Sequence, residues 1–248
     1  MRSGRCAIVL TVSLFALQGC MLERLLTTQQ QLCHGQVRLE KPSPTFVFDI
    51  PTLLDQDIVK LAGVQPTTTR EDAASQLTLS YVGHRKGSIG MGTHALPVAF
   101  EFFREGEKNP YKLKRVHIAR DLSGLLSEDL LNAVLASGCT AKLHGLALDV
   151  DLSHVSAAQL PRRAAITHIL GDPQRVNGRT FTYEYVVNSS ENAEIAITYD
   201  GTLDSMAKVH IDYFRYTLHI DFAKRVARGG LRGWRDGLAL SYWLAVSK

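Results

Sequence analysis

The sequence has no apolar run long enough to cross a bilayer. Its N-terminal run, Ala7 to Ala16, falls well short of the roughly 20 residues that a spanning helix needs. Acid is also missing from the start of the chain, where no Asp or Glu occurs before Glu23. The motifs of several common chemistries are absent: GxSxG, HExxH, a phosphate-binding Walker loop and CxxC. Their absence removes the sequence-level case for a serine hydrolase of that type, a zinc protease, a P-loop NTPase and a dithiol oxidoreductase. Of the 248 residues, 4 are Cys and 2 are Trp, and both tryptophans, Trp234 and Trp243, lie near the C-terminus. The formal net charge is only +4. Much of the positive charge sits in the last stretch, from Lys224 onward, so the body of the chain is not a polyanion binder. No nucleic-acid partner is expected.

What is present at the N-terminus has a clear pattern. Arg2 and Arg5 precede the short apolar run, and small residues follow it, which is the architecture of a secretory signal. The segment Leu17-Gln18-Gly19-Cys20 then resembles a bacterial lipobox. The resemblance implies cleavage before Cys20, a signal peptide over 1–19, and acyl chains on the Cys20 thiol. Several acyl chains hold a protein stably on a membrane, where one alone binds only marginally. Met21 follows the cysteine in place of the Asp of inner-membrane lipoproteins. By resemblance, the chain is therefore expected at the outer membrane, lipid-anchored and facing the periplasm.

Export decides the cysteine chemistry. Cys6 leaves with the signal and Cys20 carries lipid, so Cys33 and Cys139 remain in an oxidising compartment. A Cys33–Cys139 disulfide is the expected outcome.

Hydrophobic periodicity divides the rest of the chain. Helices are expected in "LERLLTTQQQLC", in "TLLDQDIVKLAG" ending at Gly63, in "LSEDLLNAVLASGC" with Ser127 as N-cap, and in "LPRRAAITHILG" ending at Gly171. "TFVFDI" and "LALDVDL" read as short strands or extended arms. Period-two alternation marks three strands in each half: 77–81, 98–103 and 112–118, then 181–185, 195–200 and 205–211. The expected fold is α+β, with two tandem repeats of helices plus a three-stranded antiparallel meander. The first repeat spans 20–124 and the second 125–223, and 224–248 forms a basic C-terminal tail or final element.

The stretch "ITHILGDPQRVNGRTFTYEY", Ile166 to Tyr185, together with the lipobox, resembles the small outer-membrane lipoproteins of the SmpA/OmlA (BamE) type. Those are single αα-βββ domains that sit with the β-barrel assembly machinery. A tandem pair of such units resembles the β-lactamase inhibitor protein. The resemblance implies a non-enzymatic envelope lipoprotein that binds another envelope protein in assembly or integrity. The alternative it implies is a periplasmic inhibitor or ligand-binding module, with the glycine-rich stretch "KGSIGMG" (86–92) entering a partner's cleft.

Candidate aromatic anchors for a protein partner are Tyr183, Tyr185, Tyr213, Tyr216 and Trp234. His117 and His210 follow Val and precede Ile at matching strand positions, but no second ligand lies at metal spacing. Asp149 and Asp151 share one face of an extended segment and read as surface charge. No catalytic residues, metal or cofactor are expected.

Overall fold

In a computed structural model the described residues are 21–40, 44–72, 75–87, 94–118, 127–144, 147–187, 191–201, 204–213 and 216–231. The signal peptide, Cys20 and Trp234 lie outside them, as does most of the stretch 86–92. No helix among the described residues is long and apolar enough to cross a membrane.

The chain opens with α1 (21–33), whose Leu25 packs on the first core cluster. Strands β1 (Val37–Glu40) and β2 (Thr45–Phe48), helix α2 (Asp55–Ala62), and strands β3 (Thr68–Asp72), β4 (Gln76–Arg85), β5 (Leu96–Phe103) and β6 (Lys112–Ile118) follow. Next come α3 (Glu128–Cys139), β7 (Lys142–His144), β8 (Ala147–Asp151) and α4 (Arg163–Leu170). The described chain closes with β9 (Arg175–Asn177), β10 (Thr180–Val187), β11 (Glu191–Tyr199), β12 (Met206–Tyr213), β13 (Tyr216–Asp221) and β14 (Val226–Leu231).

This corrects the expected fold class. The strands form one 14-stranded antiparallel sheet, in the order β1-β2-β6-β5-β4-β10-β11-β12-β13-β14-β8-β7, with β3 on β4 and β9 on β10. The helices are short, so the molecule is predominantly sheet and is not a pair of helix-plus-three-strand repeats. The strand order of the two halves differs as well. The hairpin β1–β2 lies directly beside β6, whereas β7–β8 is separated from β12 by β13 and β14. The first residues of the expected tail or final element form a strand, since Val226–Leu231 pairs with both β13 and β8.

Two causes account for the difference. The strands β3 ("TTRED") and β9 ("RVN") are exposed and carry no apolar alternation, so periodicity does not mark them. Strand β14 ("VARGGL") carries two glycines within a basic run, a poor strand signature. Gly229 fits closely there, since a Cβ would lie 3.2 Å from the Thr217 carbonyl oxygen and 3.3 Å from the Leu218 side chain and a neighbour would have to give by a few tenths of an ångström.

Local signals at the helix ends fold as chemistry dictates. Ser127 Oγ accepts a hydrogen bond from the Leu130 amide at 3.2 Å, satisfying a donor that the helix leaves free. Gly63 takes φ 71° after α2 and donates to the Val59 carbonyl, which terminates that helix.

Alternation sorts the sheet into two faces. One face is apolar and carries all three core clusters, with α2 over β4–β6, α4 over β10–β12, and α3 over β8 and β14. The other face is polar and crossed by ion pairs such as Lys208–Asp221, Arg228–Asp149 and Arg115–Glu101. A sheet with one packed face and one wet face is the ordinary antiparallel solution.

The halves meet where β4 pairs with β10, over only three residue pairs, Tyr185–Arg85, Val186–His84 and Val187–Gly83. Side chains reinforce this seam. Arg85 Nη1 donates to the Leu170 carbonyl at 2.9 Å, and His94 Nδ1 donates to the Ile169 carbonyl at 2.8 Å. Both cap carbonyls at the end of α4, where cations suit the helix dipole. A Cβ on Gly171 would lie 2.2 Å from that Arg85 nitrogen and so would displace it, and φ 76° itself favours glycine there.

Candidate functional site: an apolar trough beneath the helices

The apolar face of the sheet is not completely filled. A cavity of about 530 Å³ lies between the sheet and the helices α3 and α4. Its floor is Ile195 and Ile197 of β11, Val209 and Ile211 of β12, Leu218 and Ile220 of β13, and Ala227 of β14. Its walls include Leu130 of α3 and Ile166 and Leu170 of α4. Val134, on α3, lines it too and is 48% exposed, which puts the cavity's mouth beside that helix.

Among the described lining residues, Ser137 has the one polar side chain. Its Oγ donates to the Ala133 carbonyl at 2.8 Å and so offers the cavity no free donor. Water needs two to four polar partners to settle in a cavity. The described walls offer it almost nothing beyond the Ser137 hydroxyl, so the described lining is hydrophobic.

A second cavity, of about 410 Å³, adjoins the first. The two share Leu96, Ile195 and Ile211 as lining, which makes them successive lengths of one trough running across the sheet toward α2. Three tyrosines contribute to the lining of the second length: Tyr81 of β4, Tyr185 of β10 and Tyr213 of β12. The hydroxyls of Tyr81 and Tyr185 are buried and have no hydrogen-bond partner. An unpaired buried hydroxyl costs about 1–3 kcal/mol.

Burial pushes the Tyr81 phenol up to about 12, with Tyr213 adding to the effect. Burial likewise takes Tyr185 to about 12, against an opposing pull from Arg85. Tyr213 is raised by burial and then by Glu191 and Tyr216. All three are therefore neutral O–H groups at physiological pH and can donate.

The anchors expected from sequence fall unevenly. Tyr183 and Tyr185 are 0% and 1% exposed, so neither is available on the surface as an anchor. The cause is the strand period itself, which puts both on the same side as Phe181, toward the core. Tyr183 and Tyr199 face one another, with their hydroxyls near enough to interact, and line neither cavity. Tyr213 and Tyr216 are half-buried cross-strand neighbours on the apolar face.

Cys33 and Cys139 lie with their sulfurs 2.12 Å apart, at disulfide distance, and their Cα atoms 4.9 Å apart. His117 and His210 both project to the polar face and find partners there. His117 contacts Thr45 Oγ1 at 3.1 Å and Glu101 Oε2 at 3.2 Å. His210 contacts Asp212 Oδ2 at 3.1 Å and stacks on His219 with ring centroids 4.0 Å apart. Among the described residues there is no group of three or more His, Cys, Asp or Glu side chains placed to hold a metal ion. Asp149 pairs with Arg228, and Asp151 accepts from the Ser153 amide, as surface charges do.

Sequence reasoning missed the trough. Apolar periodicity identifies the residues that face it, but not that the helices laid over them leave space. Comparison of the chain with protein-family models, with curated proteins and with solved structures returns no match.

Proposed function

We propose that this protein is a non-enzymatic lipoprotein of the bacterial envelope that binds an apolar ligand in the trough on its sheet. One observation carries the reading: a cavity of about 530 Å³ whose described lining has a single polar side chain, already satisfied within its own helix. Its size falls within the roughly 300–1,000 Å³ of small-molecule sites. An empty apolar cavity destabilises a fold in proportion to its volume, and water cannot relieve this one. An apolar ligand removes that cost.

The reading departs from the protein-partner function implied by resemblance, because two of the tyrosines assigned as anchors are core residues. It keeps the ligand-binding alternative and places the ligand beneath the helices.

The test is titration of the mature full-length chain with a pyrene-labelled long-chain methyl ester. Saturable binding at one site per chain is expected. Leu218→Trp, which fills the floor, is expected to weaken it by about tenfold or more, while the circular dichroism spectrum stays native. Absence of saturable binding overturns the reading. So does binding by a chain ended at Leu231 but not by the full chain, which would assign the cavity to residues 232–248.

The envelope assignment rests on the signal architecture and on Cys20. Cys20→Ser is expected to move the protein from the membrane fraction to the soluble fraction of the cell envelope, since the acyl chains provide the anchor. Retention of the variant on membranes would show that something else holds it.

A further inference from the structure

The two lengths of the trough lie end to end, and that arrangement sets the shape of what can fill them. This inference rests on the reading of the trough as a binding site and names its ligand class. Eight strands that are successive neighbours in the sheet, from β5 through β4 and β10–β14 to β8, contribute lining to one cavity or to both. Neighbouring strands lie about 4.8 Å apart, so the floor from Phe100 on β5 to Leu148 on β8 extends roughly 33 Å along the sheet. Leu96 apart, each cavity alone is floored by five of these strands, or roughly 19 Å.

The junction is as apolar as the lengths it joins. Leu96, Ile195 and Ile211 line both cavities, and Ile195 and Ile211 stand directly opposite one another on β11 and β12. Leu96 pairs with Gly83, which has no side chain to rise into the trough beside it. Tyr81 and Tyr185 do not break the pattern. Their hydroxyl oxygens are buried away from the open space, so these residues present ring carbon to the cavity.

We infer that the trough takes one unbranched hydrocarbon chain, laid across the strands and passing over the Ile195–Ile211 pair from one cavity into the other. Selection is by length, because each methylene the trough covers leaves water with a similar gain. An extended chain advances ~1.3 Å per methylene, as single-bond geometry requires. A chain of ten carbons, at about 12 Å, fits within one cavity, whereas one of eighteen, at about 22 Å, has to use both. A compact ring system with as many carbons stays in one cavity and draws nothing from the other.

The experiment measures direct binding of tritiated methyl decanoate and methyl stearate to the mature full-length chain. Methyl stearate is expected to bind about a hundredfold or more tightly. In Ile195→Trp, whose indole fills the junction, that ratio is expected to fall to about tenfold or less, while methyl decanoate affinity stays within about threefold and the circular dichroism spectrum stays native. Ile211→Trp fills the junction from the opposite strand and is expected to act in the same way, which keeps the test open if one variant does not fold. Estrane, with the carbon count of stearate folded into rings, is expected to bind about tenfold or more weakly than methyl stearate.

A ratio of about tenfold or less in the wild-type chain confines the ligand to one cavity, which overturns the inference and leaves the apolar site standing. A ratio that survives both tryptophan substitutions overturns it too, as does estrane binding as tightly as methyl stearate. If neither ester binds, the reading of the trough as a site fails, and this inference fails with it.

Discussion

Arg24→Ala is expected to destabilise the protein by about 3–5 kcal/mol, because it strands a fully buried carboxylate. Asp57 is 0% exposed, and Arg24 grips it with two nitrogens, at 2.7 and 2.6 Å. The same carboxylate caps α2, accepting the Leu54 amide at 2.9 Å. The pair ties α1 to α2 across 33 residues of sequence. A surface ion pair is worth little, but removing one member of a buried pair leaves a charge with nowhere to go.

The double variant Arg24→Ala/Asp57→Asn separates charge from packing. Asparagine is neutral, and its side-chain oxygen can still accept from Leu54. The double variant is therefore expected to be more stable than Arg24→Ala alone. Denaturant unfolding of the mature chain measures both. A loss under about 1 kcal/mol in the single variant would place this pair with ordinary surface bridges.

Asp57 also shows how far sequence reading reaches. Its position in the first turn of a helix is legible, and so is the favourable sign of its charge there. That an arginine from an earlier helix would close over it is not, because partner choice across 33 residues depends on tertiary packing. The same division holds elsewhere. The Ser127 cap, the Gly63 stop and the alternating strands 77–81, 98–103, 181–185 and 195–200 could be read, since each is fixed by chemistry within a few residues. Strand β13, with Tyr216, Leu218 and Ile220 alternating, carries the same signal, but a two-repeat scheme has no place for it. Polar edge strands such as β3 gain their structure from pairing with β4 and from nothing in their own composition.

The candidate site was half legible for a related reason. Alternation already puts Tyr183 and Tyr185 on the apolar side of β10, so treating them as surface anchors conflicts with the period that identified the strand. Their burial follows from the sequence. The space over Ile197, Val209 and Leu218 does not, because it depends on how closely short helices fit a wide sheet. Likewise, no spacing rule brings His219 to His210, or Glu101 to His117. Antiparallel register does so by placing distant residues side by side.

The other large effect is expected from the cysteine pair. Cys33→Ala/Cys139→Ala is expected to lower stability by about 4–5 kcal/mol, from the entropy returned to an unfolded chain no longer closed across so long a loop. The sequence separation is 106 residues. Cys139 is the last residue of α3, and Cys33 lies at the C-terminal end of α1, so the pair holds two helix ends together. Noncovalent contacts at the same place are few and small. Gln29 Nε2 donates to the Ala141 carbonyl, and Leu32 packs so closely on Gly138 that a Cβ there would lie 3.0 Å from its Cδ1.

The consequence extends to the trough, because α3 supplies Leu130 and Val134 to its wall and mouth. Loosening the C-terminal end of α3 is therefore expected to weaken binding of the pyrene-labelled ester at denaturant concentrations well below those that unfold the variant. Unfolding curves of the oxidised chain, the chain in reductant and the double variant measure the stability term. The latter two are expected to coincide, both displaced from the first. Three coincident curves would show that the cysteines are not linked in the mature protein, and the fastening of α3 would then fall to Gln29 and Leu32.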